Sequence, residues 1–331
     1  MDDPGRGRAL CASPRDTHTR ATVIITVTPN PSIDRTIHID RLERGKMIRA
    51  RAAASEAAGK GLNVSLALAT EGIDTTAVLP LAADSATVYL GLLADAVPIT
   101  VVPVKGATRV NVSLVEPDGT VTKVNEPGPR LEPEDVDAIL AAASAILGSG
   151  WIVGCGSLPP GASEDFYARL VASAAPRGRR VAIDTSGGAL GAAVCAGATL
   201  IKPNGAELEE LVKRPLATVG DVVTAARELI ARGCGAVLVS LGPDGAVFVD
   251  ADTTAHAEAS VDGVVNTVGA GDALLAGFLA AGGEADALSV AVAWSVAAIR
   301  SAGTRMRPVA QADRAAVIVH QRVDSARRLR S

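Results

Sequence analysis

Short apolar segments that alternate with helical segments constrain the fold of this chain more than any other feature. Residues 23–27 form a β-branched run that ends before Pro29, as is typical of a buried strand. Similar strands are predicted at residues 76–79, 151–155, 181–184, 200–201 and 237–240. Helices are predicted at residues 62–70, 135–147, 219–232, 273–281 and 285–301. This alternation predicts an α/β fold with a mainly parallel sheet that is flanked by helices and binds ligands beyond the carboxyl ends of its strands.

A second group of segments alternates polar and apolar residues and so differs from the wholly apolar strands. It comprises residues 36–42, 47–53, 109–115 and 120–125, and Pro117-Asp118-Gly119 between the last two is a strong hairpin signal. Strands of this type have one face in contact with solvent or with a ligand. They predict a small sheet that is separate from the main one.

Composition argues against several classes of protein. The 331 residues carry a formal net charge of -4, which gives no general attraction to nucleic acid. Four cysteines lie far apart without a CxxC pair, which argues against a zinc or dithiol site and favours a reduced cytoplasm. Residues 138–163 contain no charged side chain, but glycines and two prolines interrupt them, so a buried helix and strand are predicted instead of a membrane span.

The two ends of the sequence differ in composition from the rest. Residues 1–20 lack both periodicity and the apolar core of a signal peptide, so they are interpreted as a disordered extension. Residues 321–331 contain several arginines and are interpreted as a solvated basic tail. A single domain is therefore expected at residues 21–320.

The motif that most strongly suggests chemistry lies at residues 266–277, where Gly269-Ala270-Gly271 precedes Asp272 and an alanine-rich helix. A turn that opens a helix presents free backbone N–H groups and the positive end of the helix dipole, and together these bind phosphate. Asp272, in the first helical turn, then has two alternative roles. It caps the helix, or it takes a proton from a hydroxyl that attacks the phosphate.

Two segments in the N-terminal half carry residues suited to a polyol and an anion. Asp34 could accept hydrogen bonds from two hydroxyls, and Gly59-Lys60-Gly61 leads into a helix whose start favours an anion. Arg109 and Asn111 alternate on one strand and share a face, and arginine suits bidentate phosphate binding. The alternatives are a helix-start glycine beside a solvated lysine, and an exposed strand arginine.

Two segments in the C-terminal half suggest a metal–nucleotide site. Asn204 and Glu207 are spaced either to form a capping box on a helix or to lie around a Mg²⁺ ion that carries nucleotide phosphates. Gly242 and Gly245 follow Ser240 at the end of a predicted strand. They either make a hairpin turn or let the backbone approach a flat base or a phosphate.

Other nucleotide-binding patterns do not occur in the sequence. The Gly59-Lys60-Gly61 triplet lacks the upstream glycine of a P-loop, because Ala54 stands at that position. No GxGxxG fingerprint with an acid about 20 residues further on follows a predicted strand, which argues against a Rossmann oxidoreductase.

Taken together, in this order and spacing, the motifs resemble those of the PfkB sugar-kinase family, which has the ribokinase-like fold. The resemblance spans residues 23–308 and is strongest to the 1-phosphofructokinase and tagatose-6-phosphate kinase branch. It rests on residues 28–34, 58–63, 108–111, 125–129, 156–159, 184–187, 202–204, 240–242 and 267–272. It implies a kinase domain with a small β-sheet lid, whose strands come from residues 36–56 and 106–127.

The resemblance also implies a role for each candidate residue. The general base would be Asp272, and an anion hole for the γ-phosphoryl group would be made by the N–H groups around Gly269, Ala270 and Gly271. The acceptor sugar would be bound by Asp34, Gly59, Lys60 and Asn63, and its own phosphate by Arg109 and Asn111. The nucleotide would be bound by Lys202, Asn204, Ser240, Gly242 and Gly245. Mg²⁺ would be placed by Asn204 and Glu207.

The expected reaction is ATP-dependent phosphorylation of fructose 1-phosphate to fructose 1,6-bisphosphate. Tagatose 6-phosphate and fructose 6-phosphate are alternative substrates, and a protein that only binds a sugar phosphate is a more distant alternative.

The resemblance also admits a monovalent cation. A homodimer through the lid sheet is expected, because both faces of that sheet need cover. Two positions depart from the family pattern: Asn266, where many relatives have Asp, and Ala82, where many have glycine. In addition, Ala57-Ala58 precede Gly59 where relatives often have an extra glycine, a change that this branch tolerates.

Overall fold

The computed structural model describes residues 23–148, 150–301, 303 and 305–330, so the extension predicted at residues 1–20 lies outside the described residues. Within these ranges the strands are β1 (Ile24–Val27), β2 (Ser32–His38), β3 (Ala52–Ala58), β4 (Thr75–Ala82), β5 (Ile99–Val104), β6 (Arg109–Val115), β7 (Val121–Asn125), β8 (Trp151–Cys155), β9 (Arg180–Asp184), β10 (Leu200–Ile201), β11 (Ala236–Ser240), β12 (Ala246–Val249), β13 (Thr254–Ala259) and β14 (Val317–His320).

The helices in the same ranges are α1 (Lys60–Thr70), α2 (Ala83–Leu93), α3 (Pro133–Ala145), α4 (Phe166–Ala174), α5 (Gly187–Cys195), α6 (Gly205–Val212), α7 (Val219–Ala231), α8 (Ala270–Ala280), α9 (Leu288–Ile299) and α10 (Gln311–Ala315). Strands and helices alternate along most of the chain, so the predicted α/β class is confirmed. None of the described helices is both long enough and apolar enough to cross a membrane.

The main sheet has ten strands in the order β14-β13-β12-β11-β10-β9-β8-β1-β4-β5. Neighbours from β11 to β5 run parallel, whereas the pairs β11–β12, β12–β13 and β13–β14 are antiparallel. The carboxyl ends of parallel strands lie on one edge of a sheet. The segments that follow β1, β8, β9, β10 and β11 therefore meet there, which is where ligands of such sheets bind.

Helices cover both faces of the main sheet because its strands are apolar on both sides. Ile25 and Ile152 belong to one buried cluster, which they form with residues of α3, α4, α5 and α7. Ile24 and Val153, one position away on the same strands, belong to a second cluster with residues of α1, α8 and α9. This alternation fixes the register of the strands, since a shift by one residue would exchange the two sets.

The small sheet has the order β3-β2-β6-β7, with β2 and β6 parallel. Its existence agrees with the alternating pattern, but strands predicted at residues 36–42 and 47–53 lie at Ser32–His38 and Ala52–Ala58 instead. Alanine has a low strand propensity, so the sequence gives little sign of β3, which forms because it pairs with β2 along its whole length. As a result, Asp34 lies within β2 and not beyond the end of a main-sheet strand.

The arginine-rich segment at residues 321–331 was expected to be a solvated tail, and the structure corrects this. Arg327 and Arg330 form ion pairs with Asp244, which is buried, and with Glu258 on β13. The backbone of the segment is also bonded to the start of α7, since Val219 N–H donates to Arg327 O at 2.9 Å. Unpaired acids of this kind would be costly to bury, so the arginines are held against the domain.

Candidate active site

Helix α8 begins at the turn that the sequence singles out. Gly269 has φ = 81°, a left-handed conformation that favours glycine. Ala270 N–H makes a long hydrogen bond of 3.4 Å to Thr267 O, whereas the N–H groups of Gly271 and Asp272 have no partner among the described residues. The start of α8 therefore offers two free donors to an anion.

Asp272 is buried in the first turn of α8, but it does not point back at its own helix. Its Oδ2 accepts a 2.8 Å hydrogen bond from Asn63 Nδ2 on α1. A carboxylate that capped α8 would accept instead from an amide of that helix. The side chain is thus directed towards α1, across the space between the two helices.

The surroundings of Asp272 make its carboxylate a stronger base than an exposed aspartate. Burial raises the pKa, and the negative charge of Asp184 raises it further. The hydrogen bond from Asn63 and the charges of Lys60 and Lys202 act in the opposite direction, and the resulting pKa is about 6. The group is therefore mostly ionised at neutral pH and still able to accept a proton.

Asp184, at the end of β9, was not among the predicted site residues, yet it lies at the centre of the charged groups. Its Oδ1 accepts from Lys60 Nζ at 3.1 Å, and its Oδ2 lies 3.0 Å from Lys202 Nζ. Although burial favours the neutral acid, the two lysines outweigh it and hold the pKa of Asp184 below its usual range. The sequence shows an acid at the end of a predicted strand, but it does not show the two lysines that pair with it.

Lys202 also lies against the start of α8. A Cβ atom on Gly271 would lie 3.5 Å from Lys202 Nζ, so the ammonium group is close to the free amides of the turn. On the other side, charges of Asp184, Asp272 and Glu207 outweigh the burial of Lys60 and raise its pKa above the ordinary value. Lys60 is therefore cationic, and Asp184 lies between it and Lys202.

Gly59 sets the direction in which α1 leaves β3. It has φ = 147°, and a Cβ at this position would lie 2.7 Å from Thr28 Cγ2. The close approach brings Lys60 and Asn63, in the first turn of α1, to the carboxyl edge of the main sheet. The predicted Gly-Lys-Gly turn thus does open a helix.

The small sheet contributes a polar group formed by Asp34, Ser32 and Asn111. Asp34 Oδ1 accepts from Ser32 Oγ at 2.8 Å and from Asn111 Nδ2 at 2.9 Å. Several buried polar atoms around this group have no partner among the described residues, namely Asn30 Oδ1, Asn63 Oδ1, Arg109 Nε and Asn111 Oδ1. Buried polar atoms are normally paired, so this set indicates a place where water or a polar ligand binds.

Arg109 faces a cavity and not bulk solvent. Its Nη2 donates to Asn30 O at 3.0 Å, and burial lowers its pKa while the nearby charge of Asp34 opposes the change. The cavity has a volume of about 570 Å³ and is also lined by Ser157, Thr185 and the first residues of α5. Asn111, which was predicted to share this role, is bonded to Asp34 and does not line the cavity.

A second cavity of about 570 Å³ lies against the α8 turn. Its polar wall includes four residues that the sequence predicts for a nucleotide, Asn204, Ser240, Gly242 and Gly245, together with Thr267 and Gly271. Its remaining wall is apolar and includes Val261, Leu274, Val292 and Val296. A slot with one apolar side and free amides at one end suits a flat base attached to phosphates.

Asn204 and Glu207 form the capping box that was one of their two predicted roles. Asn204 Oδ1 accepts from Glu207 N–H, and Glu207 Oε2 accepts from Asn204 N–H, each at 2.9 Å. Asn204 Nδ2 and Glu207 Oε1 take no part in these two bonds. Within the described residues no three His, Cys, Asp or Glu side chains form a cage, so a Mg²⁺ ion here would be held mainly by nucleotide phosphates.

The two departures from the family pattern have local explanations. Asn266 Oδ1 accepts from Val268 N–H at 3.0 Å, and its Nδ2 donates to Gly303 O at 2.9 Å, a bond that an ionised aspartate could not donate. Ala82 has φ = -71° and ψ = 137°, an extended conformation for which glycine is not needed.

A model for the pfkB family of carbohydrate kinases matches residues 27–310 of the chain. A protein of Rhodobacter capsulatus named 1-phosphofructokinase is 37% identical over 293 residues, which are 86% of this chain and 93% of that protein. The match thus extends over nearly the whole length of both proteins.

Solved structures with the same fold were also found. Phosphofructokinase-2 from Escherichia coli in complex with potassium has a TM-score of 0.82 and 32% identity, and covers 89% of this chain and 97% of its own. Ribokinase from Arabidopsis thaliana, complexed with ribose and ATP, has a TM-score of 0.70 at 21% identity over 87% of this chain and 96% of its own. The second similarity concerns the fold alone, and it confirms the expected ribokinase-like architecture.

Proposed function

Because this chain belongs to the pfkB family of carbohydrate kinases, we propose that it is a 1-phosphofructokinase, which transfers the γ-phosphoryl group of ATP to O6 of fructose 1-phosphate. The observation that carries the proposal is the position of Asp272, which directly follows two residues of the second cavity's lining, Ala270 and Gly271, and whose carboxylate is bonded to Asn63 on α1. One cavity has an apolar slot and free amides, and the other is lined by an arginine and a helix start. A kinase needs this division, because a donor and an acceptor must meet at one carboxylate.

In this mechanism Asp272 is the general base. The acceptor hydroxyl gives its proton to the carboxylate while its oxygen forms a bond to the γ-phosphorus of ATP. The bond from that phosphorus to the β–γ bridging oxygen breaks, and the electron pair leaves with ADP. The transition state is loose, so positioning and charge stabilisation are the main tasks of the protein.

The N–H groups of Gly271 and Asp272 would stabilise the charge on the transferred group. Lys202, whose ammonium lies beside Gly271, and Lys60 would add positive charge on either side of it. Asp184 touches both lysines and is a positioning residue in this proposal. Gly269 and Ala270 shape the turn, with the N–H of Ala270 already bonded to Thr267 O.

The acceptor would be recognised by two groups of residues. Its hydroxyls would bind to Asp34, Asn63 and Asn111, whose side chains carry unpaired buried atoms or a free carboxylate oxygen. Its own phosphate would bind in the cavity lined by Arg109 and Ser157, near the first amides of α5. Ser157 and the start of α5 lie in or beside motifs that carry the resemblance, residues 156–159 and 184–187, but neither was given a phosphate role; in this proposal they share it with Arg109 in place of Asn111.

ATP would bind in the cavity lined by Asn204, Ser240, Gly242 and Gly245, with its phosphates towards α8. Mg²⁺ bound to those phosphates would neutralise part of their charge, and the side-chain atoms of Asn204 and Glu207 outside the capping box would bind its water shell. A monovalent cation is part of the proposal, since the similar phosphofructokinase-2 was solved with potassium. Comparing rates in K⁺ and in tetramethylammonium salts tests that part.

The proposal is tested by measuring ADP formation with fructose 1-phosphate, tagatose 6-phosphate, fructose 6-phosphate, fructose and ribose. We expect the highest kcat/KM with fructose 1-phosphate. Fructose 6-phosphate is the second candidate, because a similar structure is phosphofructokinase-2 in complex with fructose-6-phosphate. A higher kcat/KM with another sugar would replace the proposed substrate, and no ADP formation with any of them would overturn the proposal.

Arg109 provides a sharper test of the phosphate site. We expect Arg109→Ala to lower kcat/KM for fructose 1-phosphate by about 10- to 100-fold, as is typical for the loss of a charged hydrogen bond. The low activity with unphosphorylated fructose should change much less. Arg314→Ala is a matched control, because this exposed arginine lies 3.8 Å from its nearest acid, Glu71, and outside both cavities. Equal losses for both sugars would show that Arg109 does not bind the phosphate.

A further inference from the structure

Residues 324–330, which are part of the arginine-rich segment, are attached to the turn that forms one wall of the nucleotide cavity. Asp244 lies in that turn, between Gly242 and Gly245, and is fully buried. Its Oδ2 accepts a 2.6 Å hydrogen bond from the backbone N–H of Arg330, and its Oδ1 lies 3.1 Å from Arg330 Nε and 3.2 Å from Arg327 Nη2. The turn and the segment are therefore joined through one buried carboxylate.

Glu258 on β13 forms the second attachment point. Arg327 donates to both of its oxygens, at 2.6 and 2.5 Å, and Arg330 Nη2 donates at 2.9 Å. His320 Nε2 lies 3.0 Å away, and these donors, Arg327 foremost, lower the pKa of Glu258 to about 2. Glu258 is therefore ionised throughout the ordinary pH range and holds the segment through its two arginines.

The backbone of the same segment is fixed as well. Leu329 N–H donates to Ala217 O at 3.0 Å, and Val219 N–H donates to Arg327 O at 2.9 Å. These bonds flank the point where Thr218 begins α7. The position of Arg330 is therefore set by main-chain bonds and by ion pairs together, although its side chain is 57% exposed.

Arg330 lines the nucleotide cavity, as do apolar residues of α8 and α9. Its Nε and Nη2 are engaged by the two acids, so one edge of the guanidinium is occupied and its charge is compensated. A guanidinium that is paired along its edge keeps its flat face free, and such a face stacks on aromatic rings. Apolar residues that line the same cavity would contact the other face of such a ring.

We propose that Arg330 forms the outer wall of the nucleotide site and stacks on the purine base of ATP, held in place by Asp244 and Glu258. The inference rests on the proposed function, because it assumes that a nucleotide occupies this cavity. It adds a base-binding residue from a segment whose composition suggests only a solvated tail. The ligand class is a purine nucleotide, and the contact is with its base and not with its phosphates.

The test compares Kd values of ATP, ADP and inorganic tripolyphosphate by titration calorimetry, all with Mg²⁺. For Arg330→Ala we expect about tenfold weaker binding of ATP and ADP, as a cation–π or stacking contact implies, with tripolyphosphate unchanged within twofold. Arg330→Lys should weaken ATP as well, because lysine keeps the charge but loses the flat face. Arg328→Ala is the control, since Arg328 is an exposed neighbour that lies outside the cavity.

Each outcome separates the contact with the base from other roles. Equal weakening of ATP and tripolyphosphate would overturn the proposal, because it would place the effect at the phosphates or in a displaced turn. Unchanged ATP binding in Arg330→Ala would also overturn it while leaving the proposed function intact. Failure of the unmodified protein to bind ATP would overturn both. Thermal unfolding of the variants, compared with Arg328→Ala, identifies any loss that comes from misfolding.

Discussion

At the scale of single residues, Asp272 was predictable as a candidate base, but its environment was not. The small-residue turn and the following helix identify the carboxylate from sequence alone. Its hydrogen bond to Asn63 and its raised pKa depend on α1 and on Asp184, which come from distant parts of the chain. Asp184 itself could not be selected, because its two lysine partners come together only in the folded sheet.

The role of Asp272 gives a prediction about rate and pH. We expect Asp272→Asn to lower kcat by about 10³-fold or more, since a general base contributes about 10²- to 10⁴-fold. Its Kd for the sugar phosphate should stay within about threefold, because the amide can still bond to Asn63. A kcat within tenfold of the unmodified enzyme would show that Asp272 is not the base.

In the unmodified enzyme, kcat/KM should fall as the pH decreases through about 6, because protonation of Asp272 removes the base. The rate falls on the acid side because Asp272 can accept a proton only when it is ionised, that is, above its pKa. The pH profile of kcat/KM measures this limb directly. A profile that is flat down to pH 4.5 would contradict the raised pKa.

At the scale of elements, the Lys60–Asp184–Lys202 group, with the buried Asp184 at its centre, joins α1, β9 and the end of β10. Asp184 is fully buried and Lys202 nearly so, whereas the surface pair of Arg214 and Glu228 is about half exposed. Removing one partner of a buried pair leaves uncompensated charge, whereas exposed pairs contribute little. The two pairs thus offer a direct comparison within one protein.

We expect Asp184→Asn to lower the free energy of unfolding by about 3–5 kcal/mol and Glu228→Gln by less than about 1 kcal/mol. The pKa of Asp184 is lowered by folding, so its stabilising effect is present at neutral pH and is lost as pH falls through its folded-state pKa. Urea unfolding at pH 7 measures both variants. Equal losses would mean that the buried charge is not a stabilising element.

The elements also show where sequence patterns are informative. The apolar strands of the main sheet and the helix starts at Lys60 and Gly205 follow local rules of burial and capping. Strand β3 does not, because an alanine-rich segment becomes a strand only when β2 lies beside it. The position of Asp34 within the small sheet was missed for the same reason.

At the scale of the whole molecule, the parallel sheet was predictable, whereas the strand order and the attachment of residues 324–330 were not. Those depend on contacts between residues far apart in sequence, such as Arg327 with Glu258 and Arg330 with Asp244. The sequence likewise does not show what covers the outer surface of the small sheet. Val124, on its edge strand β7, is 58% exposed.

We propose a homodimer through the small sheet and expect light scattering to give twice the chain mass at micromolar concentration. Val124→Asp should shift the protein towards monomer, because a charge would then be buried in an apolar contact. Leu147→Asp is the control, since Leu147 is an exposed apolar residue just beyond α3, away from the small sheet. A monomer at all concentrations would exclude this dimer.

The hydrogen bond between Asn63 and Asp272 has a consequence for how the protein acquires activity. It joins residues 209 positions apart, so most of the chain lies in the loop that the bond closes. Contacts of such long range form late, because their loop-closure entropy must be offset by structure already in place. Helical signal should therefore recover before enzymatic turnover during refolding, and turnover then reports the completion of the native state.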